Sequence, residues 1–250
     1  MNFNLTKNAT PEQVVTKIKE FGIARIPNHT DDVSGIKEEL LAIYDKMPPN
    51  YQFGKAIRTD LGNLPLNRCP TISKYFNNPW MKEIAATYQL TQAACQSDPY
   101  PSSYKFQRDI FSTHDFLHGN GTATQGWVHF DKFQRFKFFL HVTDITEDCG
   151  PFQAALKTHI LTKELRKKNP KPTAPSKWRF GRFSGDAGMP GPKDDARTPG
   201  SQNHYPEIEY ELTPMLGPAG TLLIFDSDVL HKGGNVQEGK ERIVVRAHSW

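Results

Sequence analysis

The chain has 250 residues and a formal net charge of +4, a length that fits one large domain or two small ones and is read here as one. It holds no apolar stretch long enough to span a membrane, and Met1 to Lys7 lack the hydrophobic core of a signal peptide, so a soluble cytosolic (cytoplasmic) protein is expected. Cys69, Cys95 and Cys149 are odd in number, widely spaced and without a Cys-x-x-Cys pair, which argues against a disulfide framework or a zinc site.

Thr10 is a natural N-cap before Pro11, and Val14, Val15, Ile18 and Phe21 follow at helical spacing, so a helix is predicted over Pro11–Phe21 with Gly22 ending it. Ile23 to Ile26 reads as a short strand. Ser34 to Lys46 reads as a second helix with Ile36, Leu40, Leu41 and Ile43 inward, and Trp80 to Leu90 as a third. From Tyr104 the pattern turns to strands, at Tyr104 to Ser112, Phe136 to Ile145 and Ile208 to Leu212. In the second of these, Phe136, Phe138, Leu140 and Val142 are expected to form one packed face rather than an aromatic substrate cage.

Gly220 to Phe225 is an apolar, β-forming run. Asp226-Ser227-Asp228 punctuates it as a turn, and Val229-Leu230-His231 restarts as a strand. Arg242 to Ser249 reads as a last strand with Arg242, Val244, Arg246 and His248 on one face. If that face is an interior, each guanidinium there must meet an anion, since an unpaired buried charge is very costly. Helices first and strands later suggest a mainly β core backed by helices.

The chemistry-bearing residues sit on these strands. In an extended strand alternate side chains share a face, so His129 and Asp131 of Trp127-Val-His-Phe-Asp131 can grip one ion together. A His-x-Asp triplet alone is weak evidence. With His231 it supplies two imidazoles and one carboxylate, the facial set that binds Fe(II) and leaves positions open for chemistry. Each of the three, taken singly, is more often an ordinary hydrogen-bonded residue; their order and placement at strand ends make the metal site.

In these features the chain resembles the phytanoyl-CoA dioxygenase-like branch of the Fe(II)/2-oxoglutarate-dependent oxygenases. The resemblance runs nearly end to end: Glu20 to Pro27, Trp127-x-His129-x-Asp131, Val142 to Pro151, Gly220 to Phe225, His231 with Asn235, and Arg242. One departure is Ala154-Ala-Leu-Lys-Thr-His159, where relatives have a Pro-Gly-Ser-His-like turn. The resemblance implies a double-stranded β-helix, the jelly-roll core shared with cupins, with Fe(II), 2-oxoglutarate and O2 as its reactive partners. It implies His129, Asp131 and His231 as metal ligands. Arg242, eleven residues after His231, would take the far carboxylate of 2-oxoglutarate, a group that the guanidinium fork fits in bidentate fashion. Lys105 and Gln107 stand where relatives place a polar co-substrate contact. Arg246 is a candidate for a substrate anion, with assistance to Arg242 or an outward salt bridge as alternatives. Because related halogenases carry a small residue in place of the carboxylate, Asp131 favours hydroxylation, although desaturation, ring closure and demethylation use the same site.

Between Thr162 and Gly200 periodicity fails, and ten Lys or Arg stand against four Asp or Glu. A structureless insertion of this length is a functional lid or a solvated loop; the resemblance favours a lid, and its charge an anionic small-molecule substrate. Nothing in it resembles a nucleic-acid recognition motif. His114, His118, His141, His159, His204 and His248 have no ligand spacing and are expected to be capped or at the surface, while Asp144, Glu147 and Asp148 look like turn residues. Two other readings stay open: a cupin-type metal enzyme that does without 2-oxoglutarate, and a barrel that binds without turnover.

Overall fold

Helix α1 (Pro11–Phe21) begins as its residues dictate. Thr10 accepts from the Gln13 backbone N–H at 3.3 Å and donates its own N–H to the Gln13 side chain at 2.9 Å, closing a capping box. The computed structural model describes residues 2–46, 51–53, 56–61, 68–88, 110–117, 128, 130, 136–168 and 209–249. Strand β1 (Ile23–Ile26) and α2 (Val33–Tyr44) follow, then β2 (Tyr51–Phe53), β3 (Ala56–Leu61), α3 (Pro70–Phe76) and α4 (Pro79–Thr87). The Glu39 carboxylate of α2 accepts from the Thr71 and Ile72 N–H groups at 2.7 and 3.1 Å, which holds the start of α3. The later elements are β4 (Ile110–Leu117), β5 (Phe136–His141), β6 (Gln153–Ala155), α5 (Thr158–Lys168), β7 (Thr213–Pro214), β8 (Leu222–Asp226), β9 (Leu230–Lys232) and β10 (Glu241–Ser249).

The strands form a seven-stranded sheet in the order β1-β8-β5-β10-β4-β3-β2 and a three-stranded sheet in the order β7-β6-β9. Their neighbouring pairs are antiparallel. The period of two then sorts side chains to the faces of the large sheet. Phe136, Phe138, Leu140, Leu222, Ile224, Ile243, Val245 and Ala247 face α1 to α4 and form the larger core with Val14, Ile18, Ile36 and Ile72. The expected packed face of β5 is therefore found. On the other face Leu223, Phe225 and Phe139 meet Phe152, Ala154 and Met215 of the small-sheet layer. Arg242, Val244 and Arg246 share this second, inner face with His141.

Several expectations need correction. Residues 209–212 are not a strand; pairing starts only at Thr213, while Tyr210 and Leu212 pack as single half-buried side chains. Strand β5 ends at His141, not at residue 145, because the chain bends at Val142-Thr143 into a turn; there Ile145 bridges Gly217 and Asp144 Oδ1 accepts from the Ala219 N–H at 2.8 Å. Helix α4 ends at Thr87. The first residues of the supposedly structureless 162–200 stretch belong to α5. This helix was hidden because its pattern is inverted: Thr158, His159 and Thr162 are buried, while Ile160 and Leu161 are exposed. The expected strand 104–112 is described only from Ile110, and most of the basic insertion lies outside the described residues.

Candidate functional site

His231 is placed by α5 and by a buried polar turn. Asp226, Ser227 and Asp228, expected as turn punctuation, are wholly buried. The Asp226 carboxylate meets the Lys163 ammonium at 2.5 Å and accepts from the Tyr88 hydroxyl at 2.9 Å and from the Asp228 N–H at 2.9 Å. Burial and the charges of Asp226 and Asp228 push the Tyr88 phenol up, so it stays a neutral donor. Thr162 donates to the Asp228 carbonyl at 2.5 Å. The Thr158 hydroxyl accepts from the Leu230 N–H at 2.9 Å and donates to the Ala155 carbonyl at 2.7 Å. Asp226, Asp228 and Leu230 are thus tied to Tyr88 at the end of α4 and to α5.

The His231 ring lies 5.4 Å, centroid to centroid, from both Phe152 and Phe225. Its Nδ1 is 2.8 Å from the Val229 carbonyl oxygen. A carbonyl can only accept, so Nδ1 carries the proton and the lone pair resides on Nε2. That is the outer hydrogen bond that orients a metal-binding imidazole. Pairing of Ala154 with His231 puts this ring on the small sheet, facing the inner side of the large one.

Arg242 sits on that inner side, 6% exposed, and donates to the Gly150 carbonyl. The Gly150 turn is pressed against the chain just after His231: a Cβ on Gly150 would fall 2.6 Å from the Gly234 carbonyl oxygen. Arg246, two residues on, lays its guanidinium over the Phe139 ring at 5.8 Å. The two arginines therefore share the inner face, as the strand period requires.

Two of the histidines expected to be capped or at the surface are buried. His159 donates Nε2–H to the Lys19 carbonyl at 3.1 Å and fastens α5 to α1. His141 lies on the inner face of β5, 2% exposed, and its Nδ1 has no hydrogen-bond partner among the described residues. Burial, then the positive charges of Arg242 and Arg25, push it down to about 3. Neither its spacing nor its neighbours in the sequence mark it; only the strand register, His141 opposite Val244 and beside Arg242, reveals it.

His129, Asp131, Lys105 and Gln107 lie outside the described residues, and among the described residues no three His, Cys, Asp or Glu side chains gather as a metal site. The neighbours of His129 are described. Val128 is buried and packs with Leu230 and Ala155, and Phe130 joins the same cluster. Among the described residues no helix is long and apolar enough to cross a membrane.

Neither a protein-family model nor a curated protein sequence matches the chain. Solved structures do. SnoN, a non-heme alpha ketoglutarate dependent epimerase from nogalamycin biosynthesis, superposes with a TM-score of 0.62 at 12% identity, over 95% of this chain and 82% of SnoN. The carbocyclase SnoK gives 0.58 at 12% identity over 96% and 85%. HygX from Streptomyces hygroscopicus, solved with nickel and 2-oxoglutarate bound, gives 0.53 at 11% identity over 96% and 87%. At such identities the likeness establishes the fold, antiparallel sheets with flanking helices, along nearly the whole chain.

Proposed function

We propose that the protein is an Fe(II)- and 2-oxoglutarate-dependent dioxygenase of the phytanoyl-CoA dioxygenase-like branch, a single domain on a double-stranded β-helix, that hydroxylates an unactivated C–H bond of an anionic small molecule. The observation that carries the reading is the packing of Val128 and Phe130, on either side of His129, against Leu230, the residue before His231. Val128 and Phe130 thus lie against the strand that carries His231, which supports a shared site. The proton on His231 Nδ1 supports it, because the ring presents Nε2 as its ligating atom.

In this reading His129, Asp131 and His231 hold the metal, and Arg242 pairs with the far carboxylate of the keto acid. Lys105 and Gln107 contribute polar co-substrate contacts. The chemistry supplied by the bound metal and keto acid is oxidation of a substrate C–H bond by O2, coupled to decarboxylation of 2-oxoglutarate to succinate. The chain supplies orientation and a dry, apolar wall from Phe139, Phe152 and Phe225. Arg246 and the basic segment 162–200 favour a negatively charged substrate. SnoN has been crystallised with Fe3+, alpha ketoglutarate and nogalamycin RO, which supports the metal and keto-acid pair on this fold. Because SnoN is an epimerase and SnoK a carbocyclase, the choice of hydroxylation rests on Asp131 retaining its carboxylate.

The test is an anaerobic titration with Fe(II) and then 2-oxoglutarate, following the visible charge-transfer band of the chelated keto acid, with Arg242→Ala alongside. A band that weakens in the variant is expected. Iron binding without a band would replace this reading with a metal enzyme that needs no keto acid, and no iron binding would leave a barrel-shaped binding protein.

A further inference from the structure

Strand β5 alternates in exposure as well as in face. Phe136, Phe138 and Leu140, which face the helices, are sealed, whereas Lys137 and Phe139 on the inner face are partly exposed; His141, at the end of the strand, is buried again. Strand β10 shows the same gradient, with Arg242 and Val244 buried and Arg246 partly exposed. The register sets His141 opposite Val244 and Phe139 opposite Arg246. The inner face is therefore closed toward Arg242 and reached by solvent toward Arg246. A partly exposed phenylalanine on an interior face marks space that an apolar group can fill.

His231 belongs to the open end. Lys137 pairs with Phe225 across β5 and β8, and the Phe225 ring lies 5.4 Å from the His231 ring. The Phe139 and Phe225 rings meet edge to face at 4.9 Å, and Phe152 packs on both, at 5.4 and 4.7 Å. Phe225 and Phe139 each carry a cation: the Lys137 ammonium stands 5.8 Å from the Phe225 centroid, and the Arg246 guanidinium 5.8 Å from that of Phe139.

Lys137 is opposite His248 on β10, which makes Arg246 its diagonal neighbour, a separation of about 7–8 Å between Cα atoms that long side chains span. Both cations have further interactions within the chain, and these hold them in place. An ammonium or a guanidinium has several N–H donors, so a cation already engaged can still serve a ligand. An aromatic pair topped by two cations suits neither a wholly polar anion nor an uncharged hydrocarbon. It suits a molecule that is apolar at one end and anionic at the other.

We propose that Lys137, Phe139 and Arg246 form the substrate subsite, and that it selects an amphipathic organic acid whose ring-sized apolar body lies against Phe139 and whose anionic group meets Lys137 and Arg246. This rests on the oxygenase reading above and adds to it Lys137 and the apolar half of the substrate.

The experiment measures equilibrium binding of phenylacetate, phenylacetamide and acetate to the anaerobic protein loaded with Fe(II) and saturating 2-oxoglutarate, so that the keto-acid position is filled. It compares wild type, Lys137→Met, Lys137→Arg and Phe139→Leu. Wild type should bind phenylacetate more tightly than the uncharged amide or the ringless acetate. Lys137→Met is expected to raise the Kd for phenylacetate about tenfold, the effect of losing a hydrogen bond to a charged group, and to leave that for phenylacetamide within about twofold. Lys137→Arg should recover most of the loss. Phe139→Leu should weaken the acid and the amide by the same factor, since it alters only the apolar contact. Phenylacetate bound no more tightly than acetate, or with wild-type affinity by Lys137→Met, would overturn the subsite and leave the proposed function standing. The same ranking, with the same dependence on Lys137, in a protein that takes up neither Fe(II) nor 2-oxoglutarate would overturn the proposed function and leave the subsite.

Discussion

Gly150 and Gly234 cross with their backbones in contact: a Cβ on Gly150 would lie 2.6 Å from the Gly234 carbonyl oxygen, and one on Gly234 would lie 2.7 Å from the Pro151 carbonyl oxygen. This crossing joins the two ends of the candidate site. Gly234 follows β9, which carries His231, and the Gly150 carbonyl receives the Arg242 guanidinium. The spacing between His231, the proposed metal ligand, and Arg242, the proposed carboxylate anchor, is thereby set by main chain.

Gly150→Ala should therefore be costly in two ways. Its φ of +67 disfavours any side chain, and the contact partner is backbone that cannot rotate away. We expect a loss of about 2 kcal/mol or more in denaturant unfolding, together with weaker keto-acid binding as the Arg242 acceptor shifts. An alanine variant with wild-type stability would show that the crossing opens at little cost.

Lys163 tests the turn that delivers His231. Asp226 is wholly buried, with the Lys163 ammonium at 2.5 Å. Removing one partner of a buried pair leaves the other charge poorly compensated, whereas removing both does far less harm. Tyr88 and the Asp228 N–H still hold the carboxylate, so Lys163→Met should cost about 2 kcal/mol. The double variant with Asp226→Asn should recover part of that. Additive losses in the double-mutant cycle would mean the pair is not coupled.

The helical half was readable because it follows local rules. Thr10, Pro11 and Gly22 bound α1 at the residues expected, and Val14, Ile18, Ile36 and Leu40 are buried as their spacing implies. The face-sharing of Arg242 and Arg246 followed from strand period alone. What stayed hidden depends on contacts between distant segments. Asp226 reads as a turn residue because no local signal announces that Tyr88 and Lys163 will satisfy its carboxylate, and none announces that Thr162 will reach the Asp228 main-chain carbonyl. Helix α5 presents threonines inward to serve those groups, which erased its hydrophobic stripe. His141 gained meaning only from a register between β5, β8 and β10. His129 and Asp131, the residues most legible in the sequence, lie outside the described residues, while Val128 and Phe130 pack with Leu230.

Acid should destabilise the fold through neutral histidines held partly or wholly away from water. His29 accepts or donates to the Tyr75 hydroxyl at 2.7 Å and lies against Trp80, and burial pushes it down to about 4. Between that value and the ordinary one near 6.5, the unfolded chain binds a proton that the folded chain refuses, so stability is full above about pH 6.5 and falls as pH drops toward 4. At pH 5 the cost is about 2 kcal/mol for each such imidazole. His29→Gln keeps a polar partner for Tyr75 but cannot titrate, so its stability difference between pH 7.5 and 5 should shrink by about that amount. An undiminished difference would assign the acid sensitivity to other groups.

The ligand set and the anchor should fail differently. Asp131→Ala and His231→Ala each remove a proposed metal bond, so both should abolish iron-dependent succinate formation. In addition, His231→Ala should lower Fe(II) affinity while leaving the fold intact, since the ring's Nδ1 bond to Val229 lies within its own strand start. Arg242→Ala removes one charge-assisted pair, worth about 1.5–3 kcal/mol, and should raise the 2-oxoglutarate requirement by ten- to a hundredfold while iron still binds. Succinate release measured against both Fe(II) and 2-oxoglutarate concentration separates the cases: saturating keto acid should rescue Arg242→Ala and neither ligand variant. A fully active Asp131→Ala enzyme would remove the metal assignment, and an Arg242→Ala enzyme with an unchanged keto-acid requirement would move the anchor to another cation on the inner face, with Arg246 the first to test.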